Sequence, residues 1–272
     1  MPELPEVEAA RRRLEPAMTG RVFIKVMVHR PDLRTAFPPH FGARLTGQTA
    51  LAVERRAKYL LIPLSSGETL LMHLGMSGSF RISRAPLEHP PGLHDHLVFE
   101  MSSGMVVAFN DPRRFGQADL LTAAGVASHP ALRRLGPEPL SAAFDASALA
   151  RACRGSRRTL KVALLDQQVV SGLGNIYAAE ALQLARLSPQ RLASSIATPT
   201  GAPRDPARRL AAAIKQVLNK AVVRQSNAAY RGAEFRVYDR EGERCRRRGC
   251  GGTIKRITQA GRSTFFCPRC QH

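Results

Sequence analysis

Met1-Pro2-Glu3-Leu4-Pro5-Glu6-Val7-Glu8 opens the sequence with an amine that could do covalent chemistry. Removal of Met1 would leave Pro2 as a free secondary amine. An α-amino group has a pKa near 8, so about a tenth of it is neutral at pH 7, against about one part in 2500 for an ordinary lysine. A neutral amine attacks an aldehyde carbon and forms a Schiff base. Pro5 suits the first turn of a helix, and Val7, Ala10, Leu14 and Met18 repeat as one helical face. The positive end of that helix favours the neutral amine; Glu3 and Glu6 oppose it electrostatically, yet each could carry a proton beside it. A solvated terminus followed by a proline-started helix fits the same residues.

The second chemical signal lies at the other end. Five cysteines are too few for a disulfide scaffold in 272 residues, and four of them crowd into residues 245–270. Cys245-x4-Cys250 and Cys267-x2-Cys270 form two knuckles on a predicted hairpin. Four thiolates suit one tetrahedral zinc with no open position, hence a structural ion. A pair of disulfides is the competing reading, disfavoured in a reducing compartment. The loops around the knuckles carry Arg246, Arg247, Arg248, Lys255, Arg256 and Arg262, placed for an anion. Cys153 is left over as a quiet, buried thiol.

Three further clusters stand between these ends. Asn175 follows Gly172-Leu173-Gly174 at a helix start, where free N–H groups and the dipole suit a phosphate, although a ligand-free helical joint reads equally well. Asn110-Asp111-Pro112-Arg113-Arg114-Phe115-Gly116 puts two guanidiniums and an aromatic on one turn. Phe115 could wedge into a duplex and Arg113 could fill the space of an extruded base. Met76, bracketed by Gly75 and Gly78, is a second possible wedge; core packing is the alternative for both apolar residues. Lys58, entering the run Tyr59-Leu60, is either a snorkelling edge residue or a cation delivered to a site.

Several kinds of element must position these groups. After the first helix, residues 21–125 alternate as strands, with Ser65-Ser66-Gly67 and Ser102-Ser103-Gly104 each joining two runs as hairpins; a β-sandwich or barrel follows. Residues 84–93, with three prolines, read as an exposed loop. Leu135-Gly136-Pro137-Glu138-Pro139-Leu140 marks a boundary. Beyond it, helices are predicted over 157–168 and 175–187, and a third opens at Asp205-Pro206 with Leu210, Ala213, Ile214, Val217 and Ala221 as its stripe. Charge separates the halves: residues 1–150 carry 17 basic and 14 acidic side chains, residues 151–272 carry 24 and 7. So basic a half calls for a polyanion, nucleic acid first. No apolar run approaches the length of a membrane span and no signal-peptide pattern occurs, so a soluble cytosolic protein is expected.

Taken together, the chain resembles the bacterial formamidopyrimidine-DNA glycosylases of the Fpg/Nei superfamily over essentially its whole length. The carriers are MPELPEVE, RRAKYL at 55–60, HLGMSG at 73–78, HDH at 94–96, DPRRFG at 111–116, LGPEPL at 135–140, GLGNIYAAEAL at 172–182 and the terminal cysteines. The resemblance implies an α+β multidomain protein. It has a helix and β-sandwich catalytic domain over 1–134, a helix–two-turn–helix domain over 135–234 and a zinc-finger hairpin over 235–272, with double-stranded damaged DNA in the cleft between and one structural zinc. It implies that Pro2 attacks C1′ of the damaged nucleotide, that Glu3 moves protons at the sugar, that Lys58 assists β-elimination and Arg262 δ-elimination. Met76, Arg113 and Phe115 match residues that fill the void; His94, Arg113, Arg157 and Asn175 match phosphate or backbone contacts. Leu4 and the DPRRFG turn resemble the purine-directed branch rather than the endonuclease VIII branch.

Two departures stand out. The first knuckle is Cys-x4-Cys where many members have Cys-x2-Cys. The segment 223–235 runs straight into the finger, where members carry a longer Gly/Ser/Thr-rich loop over the flipped purine. The expectation is a monomeric, nucleoid-associated glycosylase and abasic-site lyase in the cytoplasm, using no catalytic metal, with base specificity set by fewer contacts. An endonuclease VIII-like activity on oxidised pyrimidines and a non-cutting zinc-finger binder of damaged DNA are the rival readings. The Pro2, Glu3, Lys58, Arg262 set speaks against the binder, which needs none of them.

Overall fold

The computed structural model describes residues 2–85, 91–227 and 235–272. The predicted 84–93 loop and the shortened 223–235 segment therefore fall partly outside the described residues. The chain divides into two compact units, Met1–Arg133 and Arg134–His272.

The first unit begins with α1 (Leu4–Met18), whose buried Val7, Leu14 and Met18 form the stripe read from the spacing. Antiparallel strands follow. Strand β1 (Arg21–Val28) is followed by a short helix, α2 (Phe41–Leu45), and by β2 (Thr49–Ala50) and β3 (Glu54–Arg56). Then come β4 (Tyr59–Pro63), β5 (Thr69–His73), β6 (Ser79–Arg84), β7 (Asp95–Met101), β8 (Met105–Asn110) and β9 (Gln117–Leu121), closed by α3 (Ala123–Ser128). They make a five-stranded sheet in the order β2-β1-β7-β8-β6 and a four-stranded sheet in the order β3-β4-β5-β9. Period-two burial puts Leu60, Ile62 and Leu64 with Leu70 and Met72 from one sheet into the same core as Phe23, Leu97, Phe99, Val107 and Phe109 from the other, and α1 adds Leu14 and Met18. Gly67 and Gly104, at positive φ, close the β4–β5 and β7–β8 hairpins.

The second unit holds α4 (Ala146–Cys153), α5 (Leu160–Leu165), α6 (Asn175–Ala185) and α7 (Asp205–Asn227), then the hairpin β10 (Lys255–Gln259) and β11 (Arg262–Phe266). Helix α6 is its axis, buried almost all round, with Ala178, Leu182 and Ala185 in a core shared with Leu210, Ile214 and Leu218 of α7. Cys153 lies buried in that core, and burial pushes its thiol up to about 11. The helix expected over 157–168 is shorter. Thr159 is its extended N-cap and bridges Leu192, while Asp166 Oδ1 accepts from Gln168 N at 2.9 Å and turns the chain out of the helix. Helix α4 escapes the apolar periodicity because it is brief; its signal is Asp145, whose Oδ1 accepts from Ala148 N at 2.7 Å.

Candidate active site and nucleic-acid interface

Pro2 is half-buried and directly precedes the N-cap of α1. That cap is Glu3, 1% exposed. Its carboxylate accepts from the backbone of Glu6, and Glu6 Oε2 in turn accepts from Glu3 N at 2.8 Å. The reciprocal pair fixes the Glu3 carboxylate one residue from the Pro2 amine. Glu6, a possible proton carrier on sequence grounds, is engaged as Glu3's tether.

Lys58 sits in the β3–β4 turn, beside Ala57 at a left-handed φ of 55°. It is 9% exposed, and the turn is tied to α1. Arg55 donates from Nε to Glu8 Oε2 at 3.0 Å and from Nη1 to Ala57 O at 3.1 Å. Burial alone would raise the Glu8 carboxyl; hydrogen bonds from Arg12 and Arg55, with the charges of Arg11 and Arg55, hold it below the usual range. Glu8 thus links the helix that carries Pro2 and Glu3 to the turn that carries Lys58. Motif spacing gives no sign of this pair, because its partners are 47 residues apart.

Next to Lys58 lies His73, its ring packed on Tyr59 with centroids 4.8 Å apart and planes tilted by 42°. Burial first, then the charges of Lys58 and Arg34, push its imidazole down to about 4. His73 is therefore neutral at pH 7, and its Nδ1 accepts from Gly75 N at 3.0 Å. That bond starts the loop bearing Met76. Gly75 has a φ of 61°, and a Cβ there would lie 2.3 Å from the Phe115 carbonyl carbon and 2.5 Å from Gly116 N. Only glycine permits so close an approach of the two loops. Fully buried Asp111 fastens them: Oδ1 accepts from Ser77 Oγ at 2.5 Å and Oδ2 from Gly116 N at 2.7 Å. Ser77 Oγ also accepts from Arg113 N at 3.1 Å, and His96 Nε2 donates to Asp111 O at 2.9 Å.

The fused loops present Met76 at 40% exposure and Phe115 at 41%, with the Arg113 guanidinium 4.9 Å from the Phe115 ring centroid. Neither apolar side chain is in the core. Half-buried His94 adjoins them, its carbonyl accepting from Asp111 N at 2.9 Å. Asp95 beside it takes bonds from Arg81, Gly92 N and Asn110 at 2.6, 2.7 and 2.9 Å.

In the second unit, exposed Arg262 begins β11 immediately after the tight turn Ala260-Gly261. Buried Lys161 and half-buried Asn175 hold the two residues after it: Lys161 Nζ bonds Ser263 O at 2.9 Å and Thr264 Oγ1 at 2.7 Å, and Asn175 Nδ2 bonds Ser263 O at 3.0 Å. Gln259 Nε2 fastens the opposite strand to Thr159 Oγ1 at 3.0 Å. Asn175 stands at the first turn of α6, and its buried Oδ1 lacks a partner among the described residues. The preceding loop is braced by Gln167, which donates to Leu173 O and accepts from Gly172 N. Arg157 lies exposed ahead of α5. Lys161 is the residue that motif reading misses; a lysine inside a helical pattern reads as solvated unless its burial is known.

The four cysteine sulfurs lie within 4.8 Å of one another, Cys245 to Cys270 at 3.8 Å and Cys250 to Cys267 at 3.6 Å. A tetrahedron of Zn–S bonds of about 2.3 Å has edges close to these, so the donor set fits one structural zinc. Gly252 is obligatory beside it, since a Cβ would fall 2.7 Å from Cys267 Sγ. The module packs on α6 through Val237 and Phe265 against Ala179. Glu180 of that helix accepts from the backbone of Arg236, Val237 and Tyr238 at 2.8 to 3.0 Å.

Three family models match this chain. Residues 1–118 match the formamidopyrimidine-DNA glycosylase N-terminal domain, 135–231 its H2TH domain, and 242–272 the zinc finger found in FPG and IleRS. Curated relatives named formamidopyrimidine-DNA glycosylase include those of Rhodopseudomonas palustris strain BisA53, 54% identical, and Bradyrhizobium diazoefficiens, 51% identical, each covered in full by the full chain. These alignments extend over 292 positions and this chain has 272 residues, so 20 aligned positions have no counterpart in it. Among solved structures, Lactococcus lactis Fpg bound to DNA containing an abasic site superposes with a TM-score of 0.87 at 33% identity, over 99% of both chains. MutM in complex with DNA containing carbocyclic 8-oxo-G gives 0.86 at 34% over all of both. The chain belongs to the formamidopyrimidine-DNA glycosylase family.

Proposed function

We propose that this protein is a base-excision repair enzyme that removes oxidised purines from double-stranded DNA and cleaves the resulting abasic site. The Pro2 nitrogen attacks C1′, the C1′–base bond breaks, and the departing base takes a proton. The Pro2 nitrogen then gives up its proton, the C1′–O4′ bond breaks as O4′ takes a proton, and the nitrogen lone pair forms the C1′=N⁺ double bond of the Schiff base. Glu3, held by the α1 cap, moves protons at the sugar. Lys58 assists β-elimination, which takes a C2′ proton and releases the 3′ phosphate; Arg262 assists the δ-elimination that releases the 5′ phosphate. Met76, Arg113 and Phe115 occupy the space of the extruded nucleotide, and His94, Arg113, Arg157 and Asn175 bind the backbone. The zinc holds the finger that carries Arg262. Domains of 1–134, 135–234 and 235–272, a monomeric state, and a cytoplasmic location on the nucleoid complete the reading. Among the described residues no helix is long and apolar enough to cross a membrane.

The observation that carries it is the start of α1, where a buried, capped Glu3 follows Pro2 and the same helix is tied through Glu8 to the turn of Lys58. A panel of single-lesion duplexes, scored separately for base release and strand scission, tests it. Release of formamidopyrimidine and 8-oxoguanine with β,δ-scission is expected; binding without either step leaves only the zinc-finger binder.

A further inference from the structure

At the base of the finger, in the second unit, a cavity of about 330 Å³ is lined by Arg186, Arg247, Arg248 and Arg269 together with Gly249, His272 and the zinc ligands Cys250 and Cys270. No Asp or Glu lines it, and among the described residues none of these guanidiniums has an ion pair. Arg247 and Arg248 come from the residues that make the first knuckle Cys-x4-Cys, and Gly249 and Gly251, at φ of 73° and 60°, bend that knuckle around the opening. Arg247 is committed on one side only. Its Nη2 donates to Gln183 O and Leu184 O at the end of α6, while its Nε is buried and has no partner among the described residues.

Charge decides the ligand class. A zinc with four thiolates carries a formal charge of about two minus, which offsets part of the four guanidiniums and leaves the lining net positive in a space too large for a halide. Guanidinium forks match the oxygens of a phosphate, and two of them match a dianion. We propose that this cavity is a phosphate-binding site, distinct from the groups assigned to lesion processing. Arg186 closes α6 and Asn175 opens it, so the cavity and the Asn175–Ser263 contact lie at opposite ends of a helix of 11 residues, about 16 Å apart. The phosphate comes either from the backbone of the DNA substrate or from a free pyrophosphate-like compound. The proposal stands whether or not Pro2 is the nucleophile.

The test uses the zinc-loaded full chain. Inorganic pyrophosphate is titrated calorimetrically into wild type, the double variant Arg248→Gln/Arg269→Gln, and Arg186→Asn. The last leaves the finger untouched, and asparagine tolerates the left-handed φ of 60° at that position. The tightest pyrophosphate site should weaken at least about tenfold in both variants, with zinc still near one per chain. Binding of an abasic-analogue duplex across a salt series separates the sources. If a DNA phosphate occupies the cavity, the double variant lowers the slope of log K against log salt by about 0.9 per phosphate lost. An unchanged slope with lost pyrophosphate binding assigns the site to free phosphate compounds. Equal pyrophosphate affinity in wild type and Arg186→Asn overturns the proposal, even if the double variant loses its zinc.

Discussion

Replacing Lys161 with methionine isolates the positioning of Arg262, since it keeps most of the unbranched stem of a fully buried side chain and removes its ammonium. The ammonium donates at 2.9 Å to Ser263 O and at 2.7 Å to Thr264 Oγ1, the two residues that follow Arg262. Hydrogen bonds from a charged donor contribute about 1.5–3 kcal/mol each, which gives a gross loss of about 3–6 kcal/mol. Relief from keeping a cation out of water returns several kcal/mol of this, and Asn175 still serves Ser263 O. The net destabilisation is then about 2 kcal/mol, felt in the hairpin and not in the α6–α7 core. At 1.36 kcal/mol per factor of ten, amides of 255–266 should exchange about thirtyfold faster. A hairpin open that much more often presents Arg262 less well, so abasic-site cleavage should shift toward β-elimination products while the first scission keeps its rate. Hydrogen exchange with mass spectrometry and a gel resolving the two 3′ ends measure both effects in one preparation. Unchanged exchange in 255–266, or faster exchange with an unchanged product ratio, would refute the positioning argument.

Other consequences can be checked independently. Cys267→Ser should take the zinc content from one per chain to none and abolish tight DNA binding, while the thermal transition of the first unit persists, because its core contains no finger residue; metal analysis with calorimetry decides. Burial, Lys58 and Arg34 depress His73 to about 4, below its unfolded value near 6.5, so the unfolded chain binds the extra proton first as the pH falls. Stability of the first unit should therefore be full well above pH 6.5 and decline between 6.5 and 4 by about 3 kcal/mol; His73→Gln should flatten that part of the profile in urea titrations. The expectation read from the sequence at 223–235, fewer contacts to the base with those to sugar and phosphate kept, is tested by substrate choice. Discrimination of 8-oxoguanine over guanine should fall by about 1–3 kcal/mol relative to a full-length relative, with abasic-site cleavage undiminished. kcat/KM on 8-oxoguanine, formamidopyrimidine and abasic duplexes at one salt concentration measures this, and equal discrimination would overturn it.

The strands of the first unit were legible because one face of each is buried, so alternation survives in Leu60, Ile62, Leu64 and Leu70, Met72. Helix α7 was legible for the corresponding reason at a period of 3.6. The cysteine knuckles were readable from spacing alone, because the metal constrains it. What stayed hidden are polar groups whose role depends on a distant partner. Lys161 reads as a surface charge until Ser263 and Thr264 are placed beside it, and Glu8 as a helix-face acid until Arg55 is. The Asp111 brace is hidden in the same way, since Ser77 and Gly116 meet on it only after β5–β6 and β8–β9 have paired into their sheets. Burial of a polar atom is a tertiary property, and the one-dimensional pattern carries it only through caps such as Asp145.

The central claim is that the chain's amine at Pro2 becomes covalently joined to the sugar. Borohydride added to the enzyme on an abasic-site duplex reduces the imine and fixes the link, and mass mapping of the trapped peptide locates it. The trapped peptide should begin at Pro2 and bear the sugar on that nitrogen, and no trapping should occur when Met1 is retained or a tag precedes Pro2, although binding persists. A sugar mapped to Lys58 or to any other lysine would contradict it.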